Sequence, residues 1–282
     1  MELWFTEEHT DNVRFSFRID KQIESVQSDF QKIDIFQTPE FGKVLVIDGF
    51  VMLTEKDEFI YHEMITHVPM AVNPNIRKIL VIGAGDGGTV RELTRYEAVE
   101  AIDMVEIDKK VVDVCMEHIP QTASRLNDER VNLYFEDGLK FVKTKTNEYD
   151  LIIVDSTDPI GPGVELFTQE FYENCFNALK EDGILVNQHE SPYYKREADA
   201  MQRVHKKIRS IFPVAGVYQV HIPTYGSGHW LFGFASKKYD PVKDVNEEGW
   251  NLLGISTNYY NTDIHKGAFA LPNYVKALLN NA

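Results

Sequence analysis

The chain reads as an α/β protein: a doubly wound, mainly parallel sheet that ends in an antiparallel hairpin, preceded by a small antiparallel β unit. From about residue 76, short apolar runs alternate with helical stretches, the pattern of βα units. The last two strand-like runs have no room for a helix between them and must therefore run antiparallel. Before residue 54 the hydrophobic period is two, and turn residues separate the runs. With 282 residues, 43% of them hydrophobic, the chain has material for a sizeable core, and 26% charged with 12% aromatic residues excludes a disordered or low-complexity protein.

In the N-terminal part, Val13-Arg14-Phe15-Ser16-Phe17-Arg18-Ile19 and Phe30-Gln31-Lys32-Ile33-Asp34-Ile35-Phe36 both alternate as strands. Turns fall at Thr38-Pro39 and at Asp48-Gly49, the latter a hairpin signal before Phe50-Val51-Met52-Leu53. About 50 residues are too few to be stable alone, so this unit is expected to pack on the larger domain or on another subunit. Thr54-Glu55-Lys56-Asp57 predicts a capping box for a helix carrying Phe59, Met64 and Val68, with Pro69 near its end. Strands follow at Ile79–Ile82, Ala101–Glu106, Val131–Phe135, Leu151–Val154 and Ile184–Asn187. Helices are expected at Thr89–Tyr96, at Lys109–His118 (stopped by Pro120) and over about 195–211. Val214–Ile222 and Trp230–Ala235, joined through Pro223–Gly228, form the closing hairpin. By analogy at the level of fold, this order suits a methyltransferase-like (Rossmann-like) sheet better than a dinucleotide-binding one. We divide the chain into an N-terminal antiparallel β domain, 1–53, and a methyltransferase-like α/β domain, 54–282.

The charge balance narrows the function. Lys and Arg total 29 against 44 Asp and Glu, a net charge of −15. Such a chain is a poor ligand for nucleic acid, which needs basic stripes, and is compatible with cationic small molecules. Two cysteines, Cys115 and Cys175, make no disulfide framework and fit a reducing, cytoplasmic setting. The acidic opening Met1–Glu8 predicts no secretory leader, and no apolar run approaches the roughly 20 residues of a membrane span.

Candidate chemistry gathers at the carboxyl ends of the parallel strands. Gly83-Ala84-Gly85-Asp86-Gly87-Gly88 follows the first of them, and glycines there let a ligand approach the backbone. Gly83, Gly85 and Gly88 also satisfy G-x-G-x-x-G, so a nicotinamide cofactor must be considered. Asp86 argues against it, because a pyrophosphate on this loop would meet a carboxylate, whereas a sulfonium nucleoside carries positive charge and no phosphate. Glu106 ends the second strand, where an acid can accept from both ribose hydroxyls. Asp137-Gly138 ends the third, where an adenine amino group can be received. Asp155-Ser156-Thr157-Asp158-Pro159 places two carboxylates after the fourth strand, and Ile160-Gly161-Pro162-Gly163 reads as a loop and a candidate lid. His62 and His67 resemble a zinc-protease helix, but a spacing of i, i+5 puts them on different faces, so no metal site is expected.

These residues carry a resemblance that runs over nearly the whole chain. Trp4, Phe41–Gly49, Tyr61-His62-Glu63, the glycine loop through Arg91-Glu92, Glu106-Ile107-Asp108, Asp155–Pro159, Pro223-Thr224-Tyr225, and Tyr259-Tyr260-Asn261 with Ala268–Pro272 are similar to the polyamine aminopropyltransferase (spermidine synthase) family. The resemblance implies transfer of the aminopropyl group of decarboxylated S-adenosylmethionine to putrescine, giving spermidine and methylthioadenosine. The nucleoside is then a co-substrate, with no cofactor and no metal. By position, Gln31, Asp86, Glu106, Asp137, Gly138 and Pro162 are implied to hold the donor. Tyr61, His62, Asp155, Asp158, Gln188 and Tyr225 are implied to line the amine side, with Asp155 as catalytic proton acceptor. His62 stands where some relatives have glutamine. The C-terminal tyrosines and proline are expected to be architectural. Ala84 replaces the family's more common glycine, a change expected to cost little because only a methyl is added. Dimers and tetramers occur in the family, so a homodimer or homotetramer is implied. An Asp86 that receives the donor's aminopropyl ammonium would disfavour ordinary S-adenosylmethionine, whose carboxylate would lie close by. Alternatives are an S-adenosylmethionine-dependent N-methyltransferase acting on a diamine, a nicotinamide oxidoreductase, and a non-catalytic nucleoside-binding protein.

Overall fold

A computed structural model describes residues 2–156 and 166–280. The strands are β1 (Leu3–Thr10), β2 (Val13–Ile19), β3 (Lys21–Gln27), β4 (Lys32–Thr38), β5 (Gly42–Ile47), β6 (Phe50–Thr54), β7 (Lys78–Gly83), β8 (Ala101–Val105), β9 (Val131–Tyr134), β10 (Tyr149–Asp155), β11 (Leu179–Gln188), β12 (Val214–His221) and β13 (His229–Ser236). The helices are α1 (Glu58–Val72), α2 (Gly88–Leu93), α3 (Lys109–His118), α4 (Pro120–Ala123), α5 (Gly138–Lys143), α6 (Gln169–Ala178), α7 (Lys195–Ile211), α8 (Glu247–Leu252), α9 (Thr262–Ala268) and α10 (Asn273–Asn280).

The central sheet has seven strands in the order β12-β13-β11-β10-β7-β8-β9. Strands β11, β10, β7, β8 and β9 are mutually parallel, while β13 runs antiparallel to both β11 and β12. The predicted closing hairpin is therefore present. Alternation along β7 builds both faces: Ile79 and Val81 join the core with α1 and α3, and Leu80 and Ile82 join the core with α5, α6 and α7. After β7 the chain turns to β8 on one side, and later to β10 on the other. This is the switch point at which a doubly wound sheet opens a crevice.

The N-terminal residues form a two-stranded ribbon, β1-β2, and a four-stranded sheet, β3-β4-β5-β6. At the predicted hairpin Asp48 and Gly49 both have positive φ, 49° and 88°, and Ile47 pairs with Phe50, the geometry of a two-residue primed turn. The four-stranded sheet is covered on both sides. Ile33, Ile35, Leu45 and Ile47 share the main core with α1, and Phe36, Val44 and Val46 pack with Phe5 and Phe17 of the ribbon. Double burial explains why β4 begins at Lys32 and is buried at consecutive positions, where sequence predicted one-sided alternation from Phe30.

Two local expectations, the capping box and the cost of Ala84, need correction. The capping box does not form: Asp57 occupies the N-cap position without a side-chain cap, and the Thr54 hydroxyl instead donates to Asp57 at 2.6 Å. The other Asp57 oxygen accepts from the backbone N–H and the hydroxyl of Thr224, tying the start of α1 to the β12–β13 turn. Pro120 ends α3 and also opens α4, as proline at a first helical position can. Ala84 has φ +62°, in the left-handed region, so its methyl is not free; this conformation costs an L-residue about 1 kcal/mol.

Candidate active site

The crevice at the switch point is a cavity of about 350 Å3. Nine of the residues expected from sequence line it: Gln31, Tyr61, His62, Asp86, Glu106, Asp137, Gly138, Asp155 and Tyr225. Gln188 does not; it lines a smaller adjoining cavity, hydrogen-bonded to Glu190. Asp158, Pro162 and the candidate lid lie outside the described residues.

Asp155 is the last residue of β10 and pairs in register with Gly83 of β7. Gly83 has φ +88°, and a Cβ there would fall 2.1 Å from the Asp155 carbonyl oxygen, so only glycine lets the two strand ends meet this closely. The Asp155 carboxylate accepts from the Tyr61 hydroxyl on Oδ1 at 2.7 Å and from the Thr89 hydroxyl on Oδ2 at 2.6 Å. Both oxygens are fixed in direction, each with a lone pair to spare. Burial and then the nearby Asp86 charge raise the Asp155 pKa above the ordinary aspartate value, against the opposing pull of His62 and the two hydroxyls.

Asp86 is held by a buried ionic chain. Its Oδ1 accepts from the backbone N–H of Gly88 at 2.8 Å and lies 3.1 Å from His62 Nε2. His62 Nδ1 lies 2.6 Å from Glu58 Oε2, and Arg91 grips Glu58 with two guanidinium nitrogens at 2.8 and 2.9 Å. A carboxylate faces each His62 nitrogen, so both must donate and the ring is an imidazolium. Burial alone would lower its pKa, but Asp86 and Glu58 raise it to about 10. In turn, burial disfavours the Asp86 charge, but the His62 cation holds its pKa below the ordinary aspartate value. Asp86, read from sequence as a carboxylate that favours a cationic ligand, is thus already paired with a cation, His62. A Cβ at Gly88 would lie 2.2 to 2.4 Å from the His62 ring, which explains the final glycine of the loop better than any ligand contact does.

The same loop closes itself to phosphate. Ala84 N–H donates to the Asp155 carbonyl, Gly87 N–H to the Ala84 carbonyl and Gly88 N–H to Asp86, so donors that would cradle a pyrophosphate are already used.

Glu106 follows β8 and accepts from the backbone N–H of Asp108 at 2.9 Å. Burial, reinforced by the charges of Asp108 and Asp86, pushes its carboxyl up to about 7, while hydrogen bonds from the backbone of Asp108 and Ile107 work against the shift. Asp137 caps α5 through the N–H groups of Leu139 and Lys140. Gln31 donates to Asp108 Oδ2 at 3.1 Å, bringing the N-terminal sheet to the cavity wall that carries Glu106. Ile82, Val105, Val111 and Leu166 provide apolar wall. At the opposite end Tyr225 donates to the Met52 carbonyl at 2.8 Å.

Sequence reasoning missed Thr89 and Glu58. His62 and His67 share no partner: His67 lies 2.7 Å from the Tyr96 hydroxyl and 3.1 Å from Glu92, and Arg91, which grips Glu58, also donates to Glu92 at 2.9 Å, so one buried ionic chain runs from His62 to His67. Glu63 accepts three backbone N–H groups, from Asn258, Tyr259 and Tyr260, which gives the C-terminal tyrosines the architectural role expected of them.

Fold and cavity together define an enzyme of the methyltransferase-like α/β class. Residues 58–247 match the spermine/spermidine synthase domain, and residues 3–55 match the spermidine synthase tetramerisation domain. The chain belongs to the spermine/spermidine synthase family. It is 71% identical over 279 residues to a polyamine aminopropyltransferase of Alkaliphilus oremlandii, covering 99% of this chain and 98% of that protein. It is 70% identical over 281 residues to one from Clostridium perfringens, covering 100% and 99%. Among solved structures, a spermidine synthase in complex with the transition state analogue AdoDATO superposes with a TM-score of 0.96 at 42% identity, covering 99% of this chain and 96% of that one. Spermidine synthase from Thermotoga maritima gives 0.95 at 42% identity, covering 99% and 95%.

Proposed function

We propose that the chain transfers the aminopropyl group of decarboxylated S-adenosylmethionine to putrescine. The observation that carries this reading is a carboxylate, Asp155, fixed by two hydroxyls in the same cavity as the strand-end acids Glu106 and Asp137. A primary amine has a pKa near that of lysine, about 10.4, so only about one such group in 2,500 is neutral at pH 7. Asp155 orients this amine and takes its proton as the nitrogen attacks the propyl carbon bonded to sulfur. The carbon–sulfur bond breaks with its electron pair going to sulfur, and the sulfonium leaves as the neutral thioether methylthioadenosine. That leaving group needs neither a metal nor a covalent enzyme intermediate. The raised pKa of Asp155 suits proton acceptance better than an ordinary carboxylate would.

On the donor side we assign the ribose to Glu106, the adenine to Asp137 and Gly138, and further nucleoside contacts to Gln31 and Pro162. Asp86 faces the donor's ammonium, with its position fixed by His62. Both His62 nitrogens face carboxylates, so in this reading His62 acts on the donor side, through Asp86, and not directly on the acceptor amine. Tyr61, Asp158, Gln188 and Tyr225 complete the acceptor side. The match to a tetramerisation domain supports a homo-oligomer, either dimer or tetramer. We divide the chain into an N-terminal β domain, 1–53, and an α/β domain, 54–282, a reading that the family matches at 3–55 and 58–247 support. No described helix is long and apolar enough to cross a membrane. Two buried free cysteines fit a cytoplasmic enzyme. Product analysis tests the reading: putrescine with the decarboxylated donor yields spermidine and methylthioadenosine. Methylation of putrescine by ordinary S-adenosylmethionine would refute it.

A further inference from the structure

A second cavity, of about 70 Å3, adjoins the first: Met52, Tyr61, Ser156 and Tyr225 line both. An amine seated on Asp155 has to send its remaining chain past these shared residues. At the far side of the second cavity, β1 and α7 bring together Glu7, His9 and Glu197. His9 Nδ1 lies 2.9 Å from Glu7 Oε1, and its Nε2 lies 2.9 Å from Glu197 Oε1. The other Glu7 oxygen accepts from the backbone N–H of Val51 at 2.9 Å. The Nε2–Glu197 contact is an ion pair by distance without hydrogen-bond geometry, and the other Glu197 oxygen is buried and, among the described residues, accepts no hydrogen bond. The His9 ring is packed edge-on against Phe15 and Tyr194, with centroids 5.3 and 4.4 Å away. A Cβ at Gly226 would lie 2.7 Å from its Cε1, so the adjoining turn is shaped around the ring.

We infer that His9 sets the length and charge of the acceptor, closing the acceptor channel with an imidazolium and leaving room for a single ammonium beyond the reacting end. The inference rests on the aminopropyltransferase reading above. Two carboxylates and one imidazolium carry one net negative charge, the complement of one ammonium. With carboxylates at both nitrogens the ring holds its proton; burial opposes this, but Glu197 and Glu7 raise the pKa to about 9. Space points the same way. A cavity of about 70 Å3 holds only a few heavy atoms, since a single water already needs about 10–15 Å3. That accommodates the tail of a short diamine. A triamine would place an additional cation and additional methylenes against the imidazolium, and like charges in a partly dry pocket are disfavoured.

The test compares kcat/KM for putrescine, cadaverine and spermidine in the wild-type enzyme and in His9→Ala and His9→Gln, with thermal melts as a fold check. The wild-type enzyme is expected to favour putrescine over spermidine by at least about 100-fold. His9→Ala, which removes both cation and wall, should raise the spermidine-to-putrescine ratio about tenfold or more. His9→Gln, which removes the cation alone, should raise it by less. A wild-type enzyme that uses spermidine as well as putrescine overturns the inference even if both variants fail to fold. So does a ratio unchanged within twofold in the folded variants. Absence of product with every amine refutes the aminopropyl reading itself, an outcome distinct from either.

Discussion

If the ribose sits on Glu106 as proposed, binding of the nucleoside should depend on pH. The Glu106 carboxyl is pushed up to about 7 by burial and by the charges of Asp108 and Asp86. Ribose hydroxyls donate to a carboxylate and favour its ionised form, so binding must remove the proton wherever Glu106 carries one. Affinity is then full above pH 7 and falls as pH drops through it. For a group titrating near 7, about one site in eleven is ionised at pH 6 and about ten in eleven at pH 8. The dissociation constant of methylthioadenosine should therefore rise about tenfold from pH 8 to pH 6, a change of about 1.4 kcal/mol. Isothermal titration in buffers of different ionisation heat measures the proton directly, and about 0.9 proton should be released per nucleoside bound at pH 6. The ligand carries no group that titrates in this window, so the proton comes from the protein. Glu106→Gln should bind more weakly at pH 8 and lose the pH dependence. A wild-type constant that varies less than twofold from pH 6 to pH 8, or binding without proton release, would refute the reasoning.

Two other substitutions probe the loop between β7 and α2. Gly88→Ala drives a methyl into the His62 ring and should lower kcat/KM at least about tenfold while costing about 1–3 kcal/mol of stability; wild-type kinetics and melting would show that the ring has room to move. Ala84→Gly relieves left-handed strain of about 1–2 kcal/mol, partly offset by about 0.5–1 kcal/mol of added chain entropy in the unfolded state, so the melting temperature should rise by about 2 °C, and a fall would contradict that balance.

Much of the site was legible because strand ends are marked locally. Asp86, Glu106, Asp137 and Asp155 each follow an apolar run, and a doubly wound sheet brings such positions to one mouth. The Asp48-Gly49 hairpin was legible because its conformation needs positive φ at both residues. What sequence hid was set by tertiary partners. β1 escaped because Glu7 and His9 are buried within it and break the apolar alternation. β3 has few buried side chains to give it a period. Glu58 and Arg91 are 33 positions apart, and nothing in either neighbourhood signals that their ion pair stands behind His62. Thr89 reads as an ordinary first-turn residue until β10 places Asp155 against it.

The account stands most directly on turnover and nucleoside binding measured together in Asp155→Asn. The asparagine can keep the Tyr61 and Thr89 contacts by rotation of their hydroxyls, but it cannot take a proton. kcat/KM for the diamine should fall by about 10²- to 10⁴-fold, while methylthioadenosine binds within about threefold of the wild-type constant. Turnover within tenfold of wild type, with the protein folded, would contradict the claim that this carboxylate receives the proton of the attacking amine.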